Sequence, residues 1–206
     1  HPLTLQQMRQ DVTALSHWLQ AQPGRGWALC YQESYHFAVA LLACGHAGCH
    51  AVLPGHNRAA QLTELAPHFD GVLTDIPQLV NDLGPSAWLV AGATAQQPWD
   101  ARVDVPLPAW QGLTLTLFTS GSTGEPKAIR KTQQQLEAEV QVQAELWGSS
   151  FGMASRSQSV LLASVSHQHI YGLLFRILLP LCAGIPFVAE TVEYPEQLRR
   201  WLAHHP

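Results

Sequence analysis

Short apolar runs alternate with helical stretches through the first half of the chain, and that alternation restricts the fold more than any other feature. Trp27 to Tyr31, Ala51 to Leu53, Gly71 to Thr74 and Ala87 to Ala91 read as buried strands. Between them the pattern turns helical. Thr4 and Gln7 have capping-box spacing, and Leu5, Met8, Val12, Leu15 and Leu19 recur at steps of three and four until Pro23-Gly24 breaks the helix. Ser34 can cap a second helix to about Cys44, apolar nearly all round and therefore enclosed. Asn57 can cap a third, carrying Leu62 and Leu65, and Ile76 to Leu83 reads as a fourth. Strands separated by helices are βαβ units, which predict an α/β fold with a mostly parallel sheet covered by helices.

From Gly92 to Gly112 the pattern dissolves into Ala, Gln and Pro, which reads as a connector. The expected division is an α/β subdomain over residues 1–110 and the start of a second α/β section over 111–206. That section opens with a strand at Leu113 to Phe118 and another at Ala128 to Lys131. Thr132 and Gln135 repeat the capping-box spacing and open a helix with Leu136, Val140, Ala144 and Trp147 on one face, ended by Gly148. Ser159 to Val165 and Ile185 to Ala189 read as strands around an apolar helix, Tyr171 to Ala183, kinked at Pro180. Pro195 opens a last helix.

The 206 residues are 47% hydrophobic, enough for a real core, and only 13% charged. A formal charge of −4 argues against nucleic acid as a partner, which calls for a basic stripe. No membrane span is expected: the most apolar stretch, Tyr171 to Val188, is interrupted by Arg176, Pro180, Gly184 and Pro186. Four scattered cysteines make no disulfide scaffold, and no signal-peptide pattern opens the chain, so a reduced, cytoplasmic setting is expected. A start at His1 and a stop at Pro206, straight after a helical pattern, read as cuts rather than natural termini.

The chemically informative stretch is Leu115-Thr-Leu-Phe-Thr-Ser-Gly-Ser-Thr-Gly-Glu-Pro-Lys127. Thr119, Ser120, Ser122 and Thr123 bring four hydroxyls together. Gly121 and Gly124 let backbone N–H groups turn toward one point, and Lys127 adds a compact positive charge. Hydroxyls, amides and an ammonium are what a polyphosphate needs. The run is not a Walker loop, because Pro126 precedes the lysine and Ala128 follows it. Nor does it contain the G-x-S-x-G nucleophile elbow. A plain Ser/Gly-rich turn uses the same residues; the strand before the run and the Pro-Lys after it favour the phosphate cradle.

TSGSTGEPK resembles the phosphate-loop signature of the adenylate-forming (AMP-binding) enzymes, which include acyl- and aryl-CoA synthetases, peptide-synthetase adenylation domains and luciferases. Ala40 to Pro54 is similar to that family's N-terminal helix, Ala-Gly turn and strand. His169-Ile-Tyr-Gly-Leu173 with the following LPLCAGIPFV is similar to its His-containing acid-pocket motif. The resemblance implies a ligase fold of which this is the N-terminal portion. It implies an ATP-dependent reaction in which a carboxylate attacks the α-phosphate of Mg2+-bound ATP, giving an acyl-adenylate and pyrophosphate. A thiol, of CoA or of a phosphopantetheine carrier such as an acyl carrier protein, then takes the acyl group. By the same resemblance Thr119, Ser120, Gly121, Ser122, Thr123, Gly124 and Lys127 hold the β- and γ-phosphates, His169 borders the carboxylate pocket and Gly172 leaves space for substrate.

The adenine and ribose motifs, the magnesium-holding acid and the small C-terminal domain with its catalytic lysine are not found before Pro206. The portion is therefore expected to hold no certain catalytic residue and to be inactive alone. Ala128 stands where the family usually has glycine. A non-catalytic nucleotide- or acyl-binding module, or a subunit completed by another chain, is the alternative. Cys44, His46, Cys49, His50 and His56 crowd into a short span, but no second ligand pair follows, so no metal site is expected there. On a strand His167 and His169 would share a face; His167 is left without a role.

Overall fold

The computed structural model describes residues 3–89, 105–120, 126–147 and 160–204. The chain divides into two compact units, residues 1–135 and 136–206. Most of the expected connector, the end of the expected strand at Ala87 to Ala91, and Gly148 lie outside the described residues.

The first unit is built on one six-stranded sheet. In chain order it contains α1 (Leu5–Ala21), β1 (Gly26–Cys30), α2 (Ser34–Ala47), β2 (His50–Leu53), α3 (Ala59–Glu64), β3 (Gly71–Thr74), α4 (Pro77–Leu83), β4 (Ala87–Leu89), β5 (Thr114–Ser120) and β6 (Pro126–Thr132). The strand order is β4-β3-β1-β2-β5-β6. Every neighbouring pair is parallel except β5 and β6, which form an antiparallel hairpin at the sheet edge. This is the α/β architecture expected from the alternating pattern.

Strand parity sorts the core into two layers. Ala28, Cys30, Val52, Val72, Ala87 and Phe118 meet Leu62, Leu65 and Leu79 from the helices after β2 and β3. Residues of opposite parity face the other way. There Trp18 of α1 packs against Trp27 and Trp88, with ring centroids 5.5 and 5.7 Å apart. Gly71 makes room for those rings, since a Cβ would lie 2.4 Å from Trp88 and 2.6 Å from Trp27. On the same layer α2 is buried around most of its circumference, as its uniformly apolar sequence predicts. α1 is tied to it by the Tyr35 hydroxyl donating to Asp11. Leu5, counted in the apolar face of α1 by its spacing, stays exposed in the first turn.

The capping expectations meet three outcomes. Thr4 caps α1, its hydroxyl accepting from the Gln7 N–H at 3.1 Å. Ser34 is instead the first residue of α2, and the turn before it is held from just beyond β3: Asp75 accepts from the Gln32 and Glu33 N–H groups at 2.8 and 2.9 Å. Asn57 donates to the Tyr31 carbonyl, leaving Arg58 at the N-cap of α3.

The next helix, α5 (Gln133–Trp147), starts with a reciprocal box. The Thr132 N–H donates to Gln135 Oε1 at 3.0 Å, and the Gln135 N–H donates to Thr132 Oγ1 at 3.4 Å. Thr132→Ala is expected to cost about 1 kcal/mol, read as a lower urea midpoint at unchanged slope. An unmoved midpoint would show that α5 is started by something other than this box.

The second unit holds the rest of α5, a helix α6 wound in three consecutive stretches, and α7 (Pro195–His204). α6 comprises Ile170–Gly172, a π-helical Leu173–Leu178 and Leu179–Ala183. Pro180 has no N–H for the Arg176 carbonyl. The turn before it is widened, with the Leu179 N–H donating to the Leu174 carbonyl. The two strands expected on either side of this helix reduce to one parallel bridge, Leu161 to Phe187.

The expected section boundary at 110/111 marks the change in composition. The structural division falls after Gln135, with β5 and β6 in the first unit because β5 joins β2 in the first sheet.

Candidate functional site

The residues singled out by the sequence fall in both units. In the first, the hydroxyl- and glycine-rich run joins β5 to β6. Leu115 and Leu117 are buried on one face of β5 and Phe118 on the other, so the strand is anchored on both faces up to its last two residues. His68 packs its ring on Phe118 at 4.9 Å and closes that end of the core. Thr119 then emerges exposed.

The hairpin register pairs Thr119 directly with Lys127, and Ser120 with Pro126. Residues directly opposite across an antiparallel pair project to the same face, with Cβ atoms about 5 Å apart. A hydroxyl-bearing residue and an ammonium-bearing one therefore stand together at the mouth of the hairpin. Lys127 is exposed, as is nearly all of edge strand β6. Gly121, Ser122, Thr123 and Gly124 lie outside the described residues, and Ser120 is described by its backbone alone.

In the second unit His169 is exposed at the N-cap of α6. Its N–H donates to the Ser166 carbonyl at 3.3 Å, and its own carbonyl accepts from Leu173 at 2.8 Å. His167 does not share a face with it. The two lie in a turn rather than a strand, with His167 buried and His169 exposed. Gly172 is buried one turn into the helix, where a Cβ would fall 1.9 Å from the Ser166 carbonyl oxygen. The side of Gly172 that a methyl would occupy is thus filled by the turn carrying His169.

The Cys/His cluster disperses into packing. Cys44 and Cys49 are buried thiols whose pKa is pushed up by that burial. His46 donates to the Pro108 carbonyl at 2.8 Å and packs edge-on against Trp110. His50 shares hydrogen bonds with Thr114 and Thr116 Oγ1 at 3.1 and 2.9 Å, its pKa lowered first by burial and then by Arg130. His56 is exposed. Among the described residues no group of three or more His, Cys, Asp or Glu side chains could hold a metal ion.

The sequence shows Arg176 only as a charge that interrupts an apolar stretch. The structure buries it completely in α6.

The Thr119–Lys127 pair belongs to the run that resembles the phosphate loop of the adenylate-forming enzymes. The sequence profile of that family, AMP-binding enzyme, matches residues 46–205, and the chain belongs to it.

Among curated proteins it is 25% identical, over 97% of its length, to the medium-chain-fatty-acid–[acyl-carrier-protein] ligase JamA of Moorena producens (strain JHB). It is 29% identical, over 48% of its length, to the human mitochondrial malonate–CoA ligase ACSF3. The match spans 36% of the first relative and 16% of the second.

Solved structures share the fold. O-succinylbenzoate CoA synthetase (MenE) of Bacillus subtilis, in complex with AMP, superposes with a TM-score of 0.67 at 18% identity, covering 96% of this chain and 51% of that one. The fatty acyl-adenylate ligase of L. pneumophila, in complex with acyl adenylate and pyrophosphate, gives 0.69 at 23% identity, covering 98% and 37%.

Proposed function

We propose that this chain supplies the phosphate-binding and acid-side elements of an ATP-dependent carboxylic acid ligase. The reaction is acyl-adenylate formation followed by transfer to a thiol. The observation that carries the reading is the β5–β6 register, which sets Thr119 beside Lys127 at the loop end of the hairpin. That pair fits an anion. An exposed hydroxyl on the strand anchored by Phe118, and the ammonium opposite it on β6, can meet phosphate oxygens without rearranging the core.

With Ser120, Gly121, Ser122, Thr123 and Gly124 they would hold the β- and γ-phosphates, where negative charge grows as pyrophosphate leaves. His169 would line the carboxylate pocket, with Gly172 behind it. The magnesium ion that accompanies ATP has no carboxylate set among the described residues, so no step here is assigned to it.

The acceptor is a thiol of CoA or of phosphopantetheine on a carrier protein. JamA, matched along most of the chain, is named for transfer of medium-chain fatty acids to an acyl carrier protein, which puts that acceptor first for testing. No described helix is long and apolar enough to cross a membrane, which accords with a cytoplasmic ligase. Because the matches span between 16% and 51% of the relatives' chains, the 206 residues are taken to be inactive by themselves.

The test is acid-dependent ATP–pyrophosphate exchange over a panel of fatty and aryl acids, run on this chain and on one extended through its natural reading frame. Exchange in the extended chain alone is the expected result. A folded extended chain silent toward every acid would overturn the ligase reading in favour of a binding module.

A further inference from the structure

The second unit buries a guanidinium that the proposed reaction does not use. Arg176, in the π-wound stretch of α6, has a relative exposure of 0%. Its hydrogen bonds go to neutral oxygens: Nη1–H to the Val165 carbonyl at 3.0 Å and to Thr191 Oγ1 at 2.6 Å, and Nη2–H to the Ala189 carbonyl at 2.8 Å. Burial brings its pKa down to about 10, so it stays charged at neutral pH. Among the described residues no carboxylate pairs with it, and a charge taken out of water without a counter-charge is costly. An apolar side chain would fill a helix core without that penalty, so the fork must do something an apolar group cannot.

What it does is join two chain segments to the helix. Residues 161–165 and 186–192 run side by side: the Leu161 N–H donates to the Pro186 carbonyl, Val188 to Leu161 and Val192 to Ala163, at 2.8, 3.0 and 2.9 Å. Arg176 ties one segment through Val165 and the other through Ala189 and Thr191. Val165 is the last residue before the turn that carries His169. The turn itself is fixed by Ser166, whose hydroxyl accepts from the Gln168 N–H at 3.2 Å and whose carbonyl accepts from the His169 N–H while resting on Gly172. A continuous line of fixed backbone points runs from the guanidinium to His169. A π-wound segment is also a frequent companion of functional sites.

We propose that Arg176 is a positioning residue for acid binding: it holds the turn from Val165 to His169, and so sets where the His169 imidazole stands. This rests on the reading of His169 as an acid-pocket residue. The fork, rather than the charge, is the working part, because a planar guanidinium serves its three acceptors from two nitrogens held in one plane, whereas an ammonium must serve them from a single nitrogen.

The experiment uses the full-length enzyme with Arg176→Lys, and Thr191→Val as a milder variant that removes one acceptor and keeps the shape. The readouts are KM for acid and for ATP, kcat, and the His169 imidazole NMR signal, assigned with His169→Gln. Arg176→Lys should raise KM for the acid about tenfold, as loss of an orienting contact typically does, with KM for ATP unchanged and the His169 signal displaced. Thr191→Val should shift both in the same direction by about a third of that on a logarithmic scale, one acceptor of three being lost.

Wild-type acid KM with an unmoved His169 signal would overturn the proposal. So would an equal rise in both KM values with a lower melting temperature, which is ordinary structural damage. If Arg176→Lys does not fold, Thr191→Val decides alone. If His169→Gln binds acid normally, the pocket reading fails, while the imidazole signal still reports whether Arg176 positions the turn.

Discussion

Lys127→Ala in the full-length ligase is expected to lower acid-dependent ATP–pyrophosphate exchange by about a hundredfold, with acid binding within about twofold of wild type. The direction follows from where charge grows. On the proposed reading the negative charge accumulates on departing pyrophosphate, and the Lys127 ammonium beside it would stabilise the transition state more than the ground state. The size is that of removing one preorganised charged donor. Stability should hardly change, because Lys127 is exposed on an edge strand and its partner across the hairpin, Thr119, is exposed too.

Arg130→Ala is the control. It removes the same charge from the same strand, but three positions along and hence on the opposite face. Exchange unchanged in Lys127→Ala would remove the lysine from the phosphate site. Equal losses in the two variants would mean that the strand's overall charge matters and the position does not.

The legible part of this molecule is its local pattern. The expected strand at Gly71 to Thr74 has the observed ends, and β1 is displaced by a single residue, because runs of apolar residues bounded by turn formers admit few registers. Partner choice was not legible. Nothing in Leu113 to Phe118 says that it will lie beside β2, more than sixty residues earlier, since an apolar strand suits any parallel neighbour.

The same gap explains the caps. Ser34 has the right chemistry for an N-cap, yet the competing carboxylate comes from Asp75, over forty residues away. Where donor and acceptor are both local, as in Thr132 and Gln135, the sequence reading and the structure agree. At the site, the hairpin was legible as a loop between strands. Arg176 was visible only as an oddity, an arginine amid Leu, Phe and Ile. Its partners Val165, Ala189 and Thr191 are backbone carbonyls and a hydroxyl, which leave no mark in a sequence pattern.

Gly172→Ala sets two opposing effects against each other, and their sizes decide the outcome. The backbone there is ordinary right-handed helix, φ −67° and ψ −38°, so alanine should favour the helix by up to about 1 kcal/mol. Against that, the new Cβ would lie 1.9 Å from the Ser166 carbonyl oxygen, 2.5 Å from its carbon and 2.9 Å from the His167 Cα. All three are backbone atoms, so no rotamer change relieves the contact. The turn must move off the helix, taking with it the His169 N–H bond to that same carbonyl.

Overpacking of this kind costs about 1–3 kcal/mol and sometimes more, so the clash should win by about 1 kcal/mol, lowering the melting temperature by roughly 2–4 °C. A substrate-space role for Gly172 predicts something separate: weaker acid binding at full stability. A variant with lower stability and a raised KM for acid would tie the two together through the turn. Wild-type stability with weakened acid binding would leave the space reading alone standing and would show that the turn at Ser166 can shift without cost.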